Sequence, residues 1–446
     1  MAMGERTLDR RPTTRISTDV VIVGGGAAGL AAACTAARRG LRVVLLERYG
    51  FCGGGAVAGM SGTLCGLYLA SDNNGPPEKV CFGFVDEFIA EMEARNGLAP
   101  PTQYGRTYTR VHDPVIWRES ADTLLARAGV QVVYHCLVAQ VITDGEQIAG
   151  VVASTKGGRL EVRAPVTIDA SGDADVIAMA DLPNTTALPG IAQNPTMIFR
   201  LQGVNVAQFL GEYGHDSIMP PDVTNAIIEA AGKGADLPRK KIWIFPTTRP
   251  GELLCNCTRV LGPAGEELNT LSSEGFTQAE FQGRSQARAY ADFIIDNLAG
   301  CSRAFMSETG VQVGIRQTRQ IVGRETLTNE MVIGGAKCAD GIARSPWPIE
   351  RHVGDSPKVN WLIDDFYEVP WGCLVPSEGE GILTAGRSLS ATNEAQASAR
   401  VTAQCFGYGQ AAGTAAAIAI HDHIEPSTIA GRDIRAEMNV DGARLD

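Results

Sequence analysis

The sequence predicts an α/β fold: a parallel sheet with a β-meander laid over it, interrupted by an inserted mixed α+β domain. Three observations carry the prediction. An apolar, β-branched run from Val20 to Val23 leads straight into Gly24-Gly25-Gly26-Ala27-Ala28-Gly29 and a small-residue helix. A second buried-strand pattern, Val166 to Asp169, ends in Ala170-Ser171-Gly172-Asp173. A third, within Gly381 to Arg387, ends in Gly386-Arg387 after a long stretch of different composition. Ligands sit at the carboxyl ends of parallel strands, where all three glycine turns fall.

The first stretch satisfies G-x-G-x-x-G. Gly24 permits the tight strand-to-helix turn, Gly26 lets a pyrophosphate approach the backbone, and Gly29 lets the helix lie close on the strand. The helix, Leu30 to Arg39, offers unpaired N–H groups and a positive dipole end to phosphates. Gly40 stops it, and a second strand, Leu41 to Leu46, ends on Glu47. A carboxylate there accepts hydrogen bonds from a ribose diol and repels a 2′-phosphate. Strand, glycine turn, helix and acid together predict a bound dinucleotide in a Rossmann-like domain.

The remaining elements follow in order. Phe51-Cys52-Gly53-Gly54-Gly55 reads as backbone laid against the ligand. Residues 83–97 read as an amphipathic helix with Phe84, Val85, Phe88, Ile89 and Met92 inward. Asp113-Pro114 supplies an N-cap and first-turn proline for a helix to Ala128, which Gly129 ends. Val130 to Tyr134 returns as a strand, and segments 137–143 and 148–154 turn across Asp144-Gly145 as the meander. From 185 to 340 prolines cluster (Pro189, Pro195, Pro220, Pro221, Pro238, Pro246, Pro250) and the longest helix, 275–298, appears. Near the end a small-residue helical stretch runs to Ile420, and Gly407, Gly409 and Gly413 are expected to let it break and restart. The domains are therefore a flexible tail (1–17), a nucleotide domain (18–184 and 341–425), a substrate domain (185–340) and a C-terminal extension (426–446).

Net charge of −11 over 446 residues argues against nucleic acid, which needs a basic surface. Eleven cysteines, an odd number with no C-x-x-C, suit reduced thiols in a cytoplasmic protein. Arg10-Arg11 precedes an apolar segment, but that segment is the nucleotide strand, so cleavage as an export signal would destroy the site. No stretch of about 20 apolar residues suits a membrane span. No metal site is expected.

Taken together, these segments resemble the flavoprotein oxidoreductases with a glutathione-reductase-like FAD domain, the broad FAD-dependent oxidoreductase family related to the fumarate reductase flavoprotein group. The pattern stands as Val23 to Gly29, Ile168 to Asp175, Arg319 to Arg324, Ala385 to Thr392 and Gly409 to Ala416. The resemblance implies noncovalent FAD. It gives the pyrophosphate turn to Gly24, Gly26, Ala27, Ala28 and Gly29, and the ribose to Glu47 with Arg48 beside it. Gly53, Gly54 and Gly55 would line the cofactor, and Val138 would present backbone to adenine. Ala170, Ser171, Gly172 and Asp173 would support the phosphate end, and Gly386 and Arg387 the pyrophosphate and ribityl chain. Gln410, Ala411, Gly413 and Thr414 would place a helix N-terminus under the flavin, stabilising its reduced, anionic form. One departure is Asn393, where the family commonly has histidine, so any proton shuttle there is replaced or absent.

For the chemistry, the resemblance singles out His352 as proton carrier and Arg316 with Arg319 as a carboxylate clamp. The plain alternatives are a loop histidine and an ion pair to Glu325 or Asp340. Tyr104, Tyr108, Trp371 and Tyr408 are pocket aromatics or core. The expected function is hydride movement between flavin N5 and a small organic substrate, carboxylate-bearing if the clamp holds. A flavin monooxygenase or halogenase is an alternative, although the Asp-Gly segment and Trp-x-Trp-x-Ile-Pro of those enzymes are not found; a non-catalytic flavin sensor is another. The expected partners are that substrate and an electron donor or acceptor of unspecified identity, with self-association left open.

Overall fold

The computed structural model describes residues 13–73, 75–187, 192–352 and 354–446. Pro189 and residues 1–12 of the expected tail lie outside them. Five strands form one parallel sheet in the order Ile382–Thr384, Val166–Asp169, Val20–Val23, Val43–Leu46, Gln131–Val133. Val23 and Thr384 both pair with Asp169, and Leu46 pairs with Val23, so the carboxyl ends of four strands share one edge. That edge is where the glycine turns lie.

Alternation along the strands explains the layers. Val20, Ile22, Val43 and Leu45 pack into a cluster with the helical residues Leu30, Ala31 and Ala415. Val21, Val23, Val44 and Leu46 face the other way, onto Val151, Ala153, Leu160 and Val162 of the meander. The meander is a four-stranded sheet of Thr13–Ser17, Gly158–Arg163, Gln147–Thr155 and Leu137–Asp144, in that order. Thr13–Ser17 was expected within a tail; it is instead an edge strand, paired in parallel with Gly158–Arg163.

The fingerprint helix spans Ala27–Arg38, starting directly after Gly26. It packs on the helix Thr402–Asp422, and here the expectation of a glycine break fails. That helix runs unbroken through Gly407, Gly409 and Gly413. A Cβ at Gly409 would stand 2.0 Å from the Ala28 carbonyl oxygen, and one at Gly413 2.6 Å from that of Ala32. The glycines serve close helix contact, and the chain breaks at Arg400–Val401, after the helix Asn393–Ala399.

Helix Pro114–Ala128 is capped as its sequence requires: Asp113 Oδ1 accepts from the Val115 and Ile116 amides at 2.7 and 3.2 Å, and Gly129 turns left-handed at φ +76°. Helix Phe84–Glu93 buries all five expected apolar residues. Between the fourth and fifth parallel strands in sequence the chain builds an antiparallel sheet, Trp243–Pro246, Glu252–Asn256, Phe199–Gln202 and Phe305–Thr309. Leu253, Cys255 and Cys257 point to the long helix Ser273–Asn297 with Ala287 and Tyr290. Leu254 and Phe245 point the opposite way, toward Tyr104, Trp347 and Val401. Ile429, Ile434, Met438 and Leu445 of the C-terminal residues join the main core.

His112, just before the Pro114–Ala128 helix, is fully buried with both ring nitrogens unpartnered and its ring 4.6 Å from Trp117. Burial, with Arg200 nearby, pushes its pKa down to about 3. Below its ordinary pKa of about 6.5 the unfolded chain takes up a proton that the folded chain refuses. Stability should fall as pH drops from about 6.5 toward 3, by up to about 1.4 kcal/mol per unit. His112→Phe keeps the ring contact and removes the titration. In denaturant melts its advantage over the parent should grow from pH 8 to pH 5; an equal pH slope in both proteins would refute the assignment.

Candidate active site

A cavity with ≈ 1830 Å³ of empty space, counting its open mouth, lies along the carboxyl edge of the parallel sheet. It runs from the glycine turns at Gly24, Gly26 and Gly54 to Tyr104, Trp347 and His352, so its lining suits an elongated ligand. At one end the walls are bare backbone. Gly24 makes the turn at φ +101°, where a Cβ would stand 2.5 Å from the Ala170 carbonyl oxygen. Gly26, at an ordinary φ of −68°, faces Gly54, and the nearest heavy atom to a Cβ there is the Gly54 Cα at 4.0 Å. Gly29 acts behind the cavity: a Cβ would stand 1.8 Å from the Gly24 carbonyl oxygen, so the turn cannot close without glycine.

Ala27, Ala28, Arg48, Gly53, Gly54, Gly55, Val138, Ala170, Ser171, Gly172, Gly386 and Arg387 all line this cavity. The triple glycine is not a plain loop. Gly53, at φ +148°, precedes a short helix, Gly54–Val57. Glu47 stands at the end of its strand, 4% exposed, where Oε2 accepts from the Gly25 amide at 2.6 Å and Oε1 from the Tyr49 amide at 2.8 Å. Burial pushes its pKa up against those two bonds. Glu47→Ala should weaken nucleotide binding by about 1.5–3 kcal/mol, read by equilibrium titration of the stripped protein; unchanged affinity would mean that the ribose is held elsewhere.

Two expectations at this end are corrected. Asp173 does not line the cavity. Its carboxylate accepts from Thr318 Oγ1 and from Arg387 Nη2, and despite burial these partners hold it below the usual carboxylate range. Asp173 therefore holds Arg387, and Arg387 reaches the cavity. Gln410, Ala411, Gly413 and Thr414 lie buried in the middle of Thr402–Asp422, not at a helix start, and none lines the cavity. Gln410 Oε1 accepts from the Phe84 amide at 2.9 Å. What does reach the cavity is the start of that helix, Val401, Thr402 and Cys405.

The other end is walled by Tyr104, Phe245 and Trp347 and carries the ionisable groups Arg316, Glu350, His352 and Arg400. Glu350, two residues from His352, receives the Tyr104 hydroxyl at 2.5 Å and stands 3.5 Å from His352 Nε2. These neighbours and Arg400 keep the Glu350 carboxyl ionised against its burial. Burial and Arg316 push the His352 pKa well below its ordinary value, Glu350 notwithstanding. The ring is therefore neutral near pH 7. With Nε2 facing a carboxylate, the ring proton belongs on Nε2, and Nδ1 is buried without a partner.

Arg316 Nη1 donates to the Asn194 carbonyl at 2.7 Å and Nη2 to Asn256 Oδ1 at 3.4 Å. Arg319 does not join it. It does not line the cavity, and its Nη1 pairs at 3.0 Å with Asp175, which lines the phosphate-turn end. Outside a helix, a spacing of three does not put two side chains on one face. Asn393 accepts from Gln317 Nε2 at 2.5 Å and does not line the cavity. Of the expected aromatics only Tyr104 lines it; the Tyr408 hydroxyl is spent on the Ala399 carbonyl.

The sequence reading missed Glu350, Arg400 and Asn256. Asn256 carried a signal: it is a polar residue between Cys255 and Cys257, on the opposite face, at the end of a strand whose middle is apolar. Arg400 and Glu350 had none beyond charge.

Facing glycines, an acid at the second strand end and an arginine beside the glycine turn mark a dinucleotide-binding protein. A model of the family "FAD dependent oxidoreductase" matches residues 19–438, and the chain belongs to that family. Its cofactor is FAD, and the open space before Gly26 and Gly54 fits it. Among solved structures, a geranylgeranyl bacteriochlorophyll reductase-like protein from Thermoplasma acidophilum is similar at TM-score 0.53 and 14% identity, covering 97% of this chain and 85% of that one. The flavin-dependent brominase Bmp2 is similar at TM-score 0.49 and 13% identity, covering 95% and 84%. At 14% identity the first of these likenesses speaks to the fold alone. No curated protein matches the sequence significantly. Among the described residues no helix is long and apolar enough to cross a membrane.

Proposed function

We propose that this FAD-dependent oxidoreductase moves a hydride between the flavin and a small organic substrate held at the inner end of the cavity, with His352 carrying the accompanying proton. The observation that supports this is His352 itself: a neutral imidazole with an unpartnered, buried Nδ1, lining the cavity that the glycine turns open. FAD, when bound, supplies the two-electron centre at N5. Residues of the chain do the rest. Glu350 fixes the ring tautomer and aims Nδ1, as a carboxylate does for a catalytic imidazole. Tyr104, Phe245 and Trp347 exclude water from the inner end. The antiparallel sheet that supplies Phe245 and Asn256 acts as the substrate-facing domain, inserted between two parts of the FAD domain. FAD is held noncovalently, and the substrate exchanges electrons through it with a separate donor or acceptor.

The test is anaerobic titration of the yellow protein with candidate reductants, after acid has been shown to release free FAD. Rapid bleaching by a small organic substrate is the expected result. An oxygenated or halogenated product would favour a monooxygenase or halogenase instead, and a flavin that no substrate bleaches would favour a sensor. Recovery of a flavin-bearing peptide would overturn the noncovalent reading.

A further inference from the structure

We infer that the inner end of the cavity is an anion subsite, in which Arg316, Arg400 and Asn256 receive the carboxylate of an organic substrate and Arg239 stands behind them. The inference rests on the hydride-transfer reading for its placement beside the cofactor. Its own ground is an imbalance of buried charge. Arg239 is 2% exposed and Arg316 7%. Their partners are neutral oxygens: Arg239 Nη1 donates to Asn256 Oδ1 at 3.0 Å and Nε to the Lys241 carbonyl at 2.9 Å, while Arg316 holds the Asn194 carbonyl and the same Asn256 oxygen. Arg400 Nη2 donates to Gln193 Oε1 at 3.0 Å. The one carboxylate among the described residues at this end, Glu350, is already engaged by Tyr104 and His352.

Three guanidiniums thus surround one carboxylate, and burial together with mutual repulsion lowers the affinity of Arg316 for its proton. Buried charge without a counter-charge is costly. Arg239 Nη2 and Arg400 Nε are in addition buried donors with no acceptor. Asn256 completes the set. Its carbonyl oxygen is held by two guanidiniums, which turns its amide donors the other way, and the residue lines the cavity. A planar oxyanion matches these donors and supplies the missing charge. The phosphates of FAD are not that anion, since their turn is at Gly24, Gly26 and Arg387.

The experiment is calorimetric titration of the FAD-loaded protein with acetate, malonate and succinate, each against its amide. At least one carboxylate should bind about tenfold or more tighter than its amide, the value of hydrogen bonds to a charged group. Arg400→Gln should remove that preference while FAD content stays unchanged. Asn256→Asp, nearly isosteric, should abolish it by supplying a negative charge from within. Carboxylates and amides binding alike, or neither binding, would overturn the inference, as would an unaltered preference in Asn256→Asp. Flavin bleaching is read separately, so a flavin that no substrate reduces would sink the hydride-transfer reading without touching the calorimetry.

Discussion

A Gly26→Val variant is expected to fold normally and to purify without FAD. The reason lies in what surrounds the missing Cβ. Gly26 sits at φ −68°, which valine adopts freely, and apart from its chain neighbours the nearest atom to a Cβ there is the Gly54 Cα at 4.0 Å. The space a valine would take is cavity, directly against the facing Gly54. Gly24 and Gly29 are different: a Cβ at either would drive into backbone at 2.5 or 1.8 Å, so their variants would damage the fold itself. Gly26 therefore separates cofactor binding from folding. FAD affinity should fall by at least about a hundredfold, roughly 2.8 kcal/mol, while the melting temperature matches that of the FAD-stripped parent. A variant that retains one FAD per chain would place the pyrophosphate somewhere else along the edge.

The parts of this molecule legible in its sequence are those fixed by local chemistry. Val20 to Gly29 announces strand, turn and helix because β-branching, positive φ and close approach each demand particular residues within a few positions. Asp113-Pro114 and Gly129 fix a helix at both ends for the same kind of reason. Where a residue type has two uses, the reading fails. Gly409 and Gly413 suit a helix break or a close helix contact, and only the Ala28 and Ala32 carbonyl oxygens opposite them decide for contact. Thr13–Ser17 has a single partly buried residue, Ile16, in an otherwise exposed edge strand, so no alternation marks it. The inner end of the cavity was least legible. Asn256, Arg316, Glu350 and Arg400 come from separate segments and meet only through tertiary packing; Arg319 looked equivalent to Arg316 until strand geometry sent it to Asp175.

His352→Ala should leave FAD bound and slow turnover by about 10²–10⁴-fold, the usual worth of a positioned acid or base. The pH profile distinguishes this role from a structural one. In the direction of substrate oxidation the neutral ring accepts the proton, and its pKa lies well below the ordinary value, through burial and Arg316. Activity limited by His352 should thus be flat through about pH 6 to 8 and fall only on the acid side, where an unperturbed histidine would already be titrating near pH 6.5. Glu350 opposes that depression, so Glu350→Gln should move the acid limb lower still. It should also reduce kcat, because an amide can face either ring tautomer and no longer reserves Nδ1 for the substrate. Steady-state rates for parent and both variants, taken across pH with FAD content matched, give the answer. Turnover of His352→Ala within about threefold of the parent would pass the proton to Tyr104. Burial and Glu350 hold that phenol well above its ordinary pKa, so it could serve only substrate reduction, by donating its proton, and the acid limb of the profile would vanish.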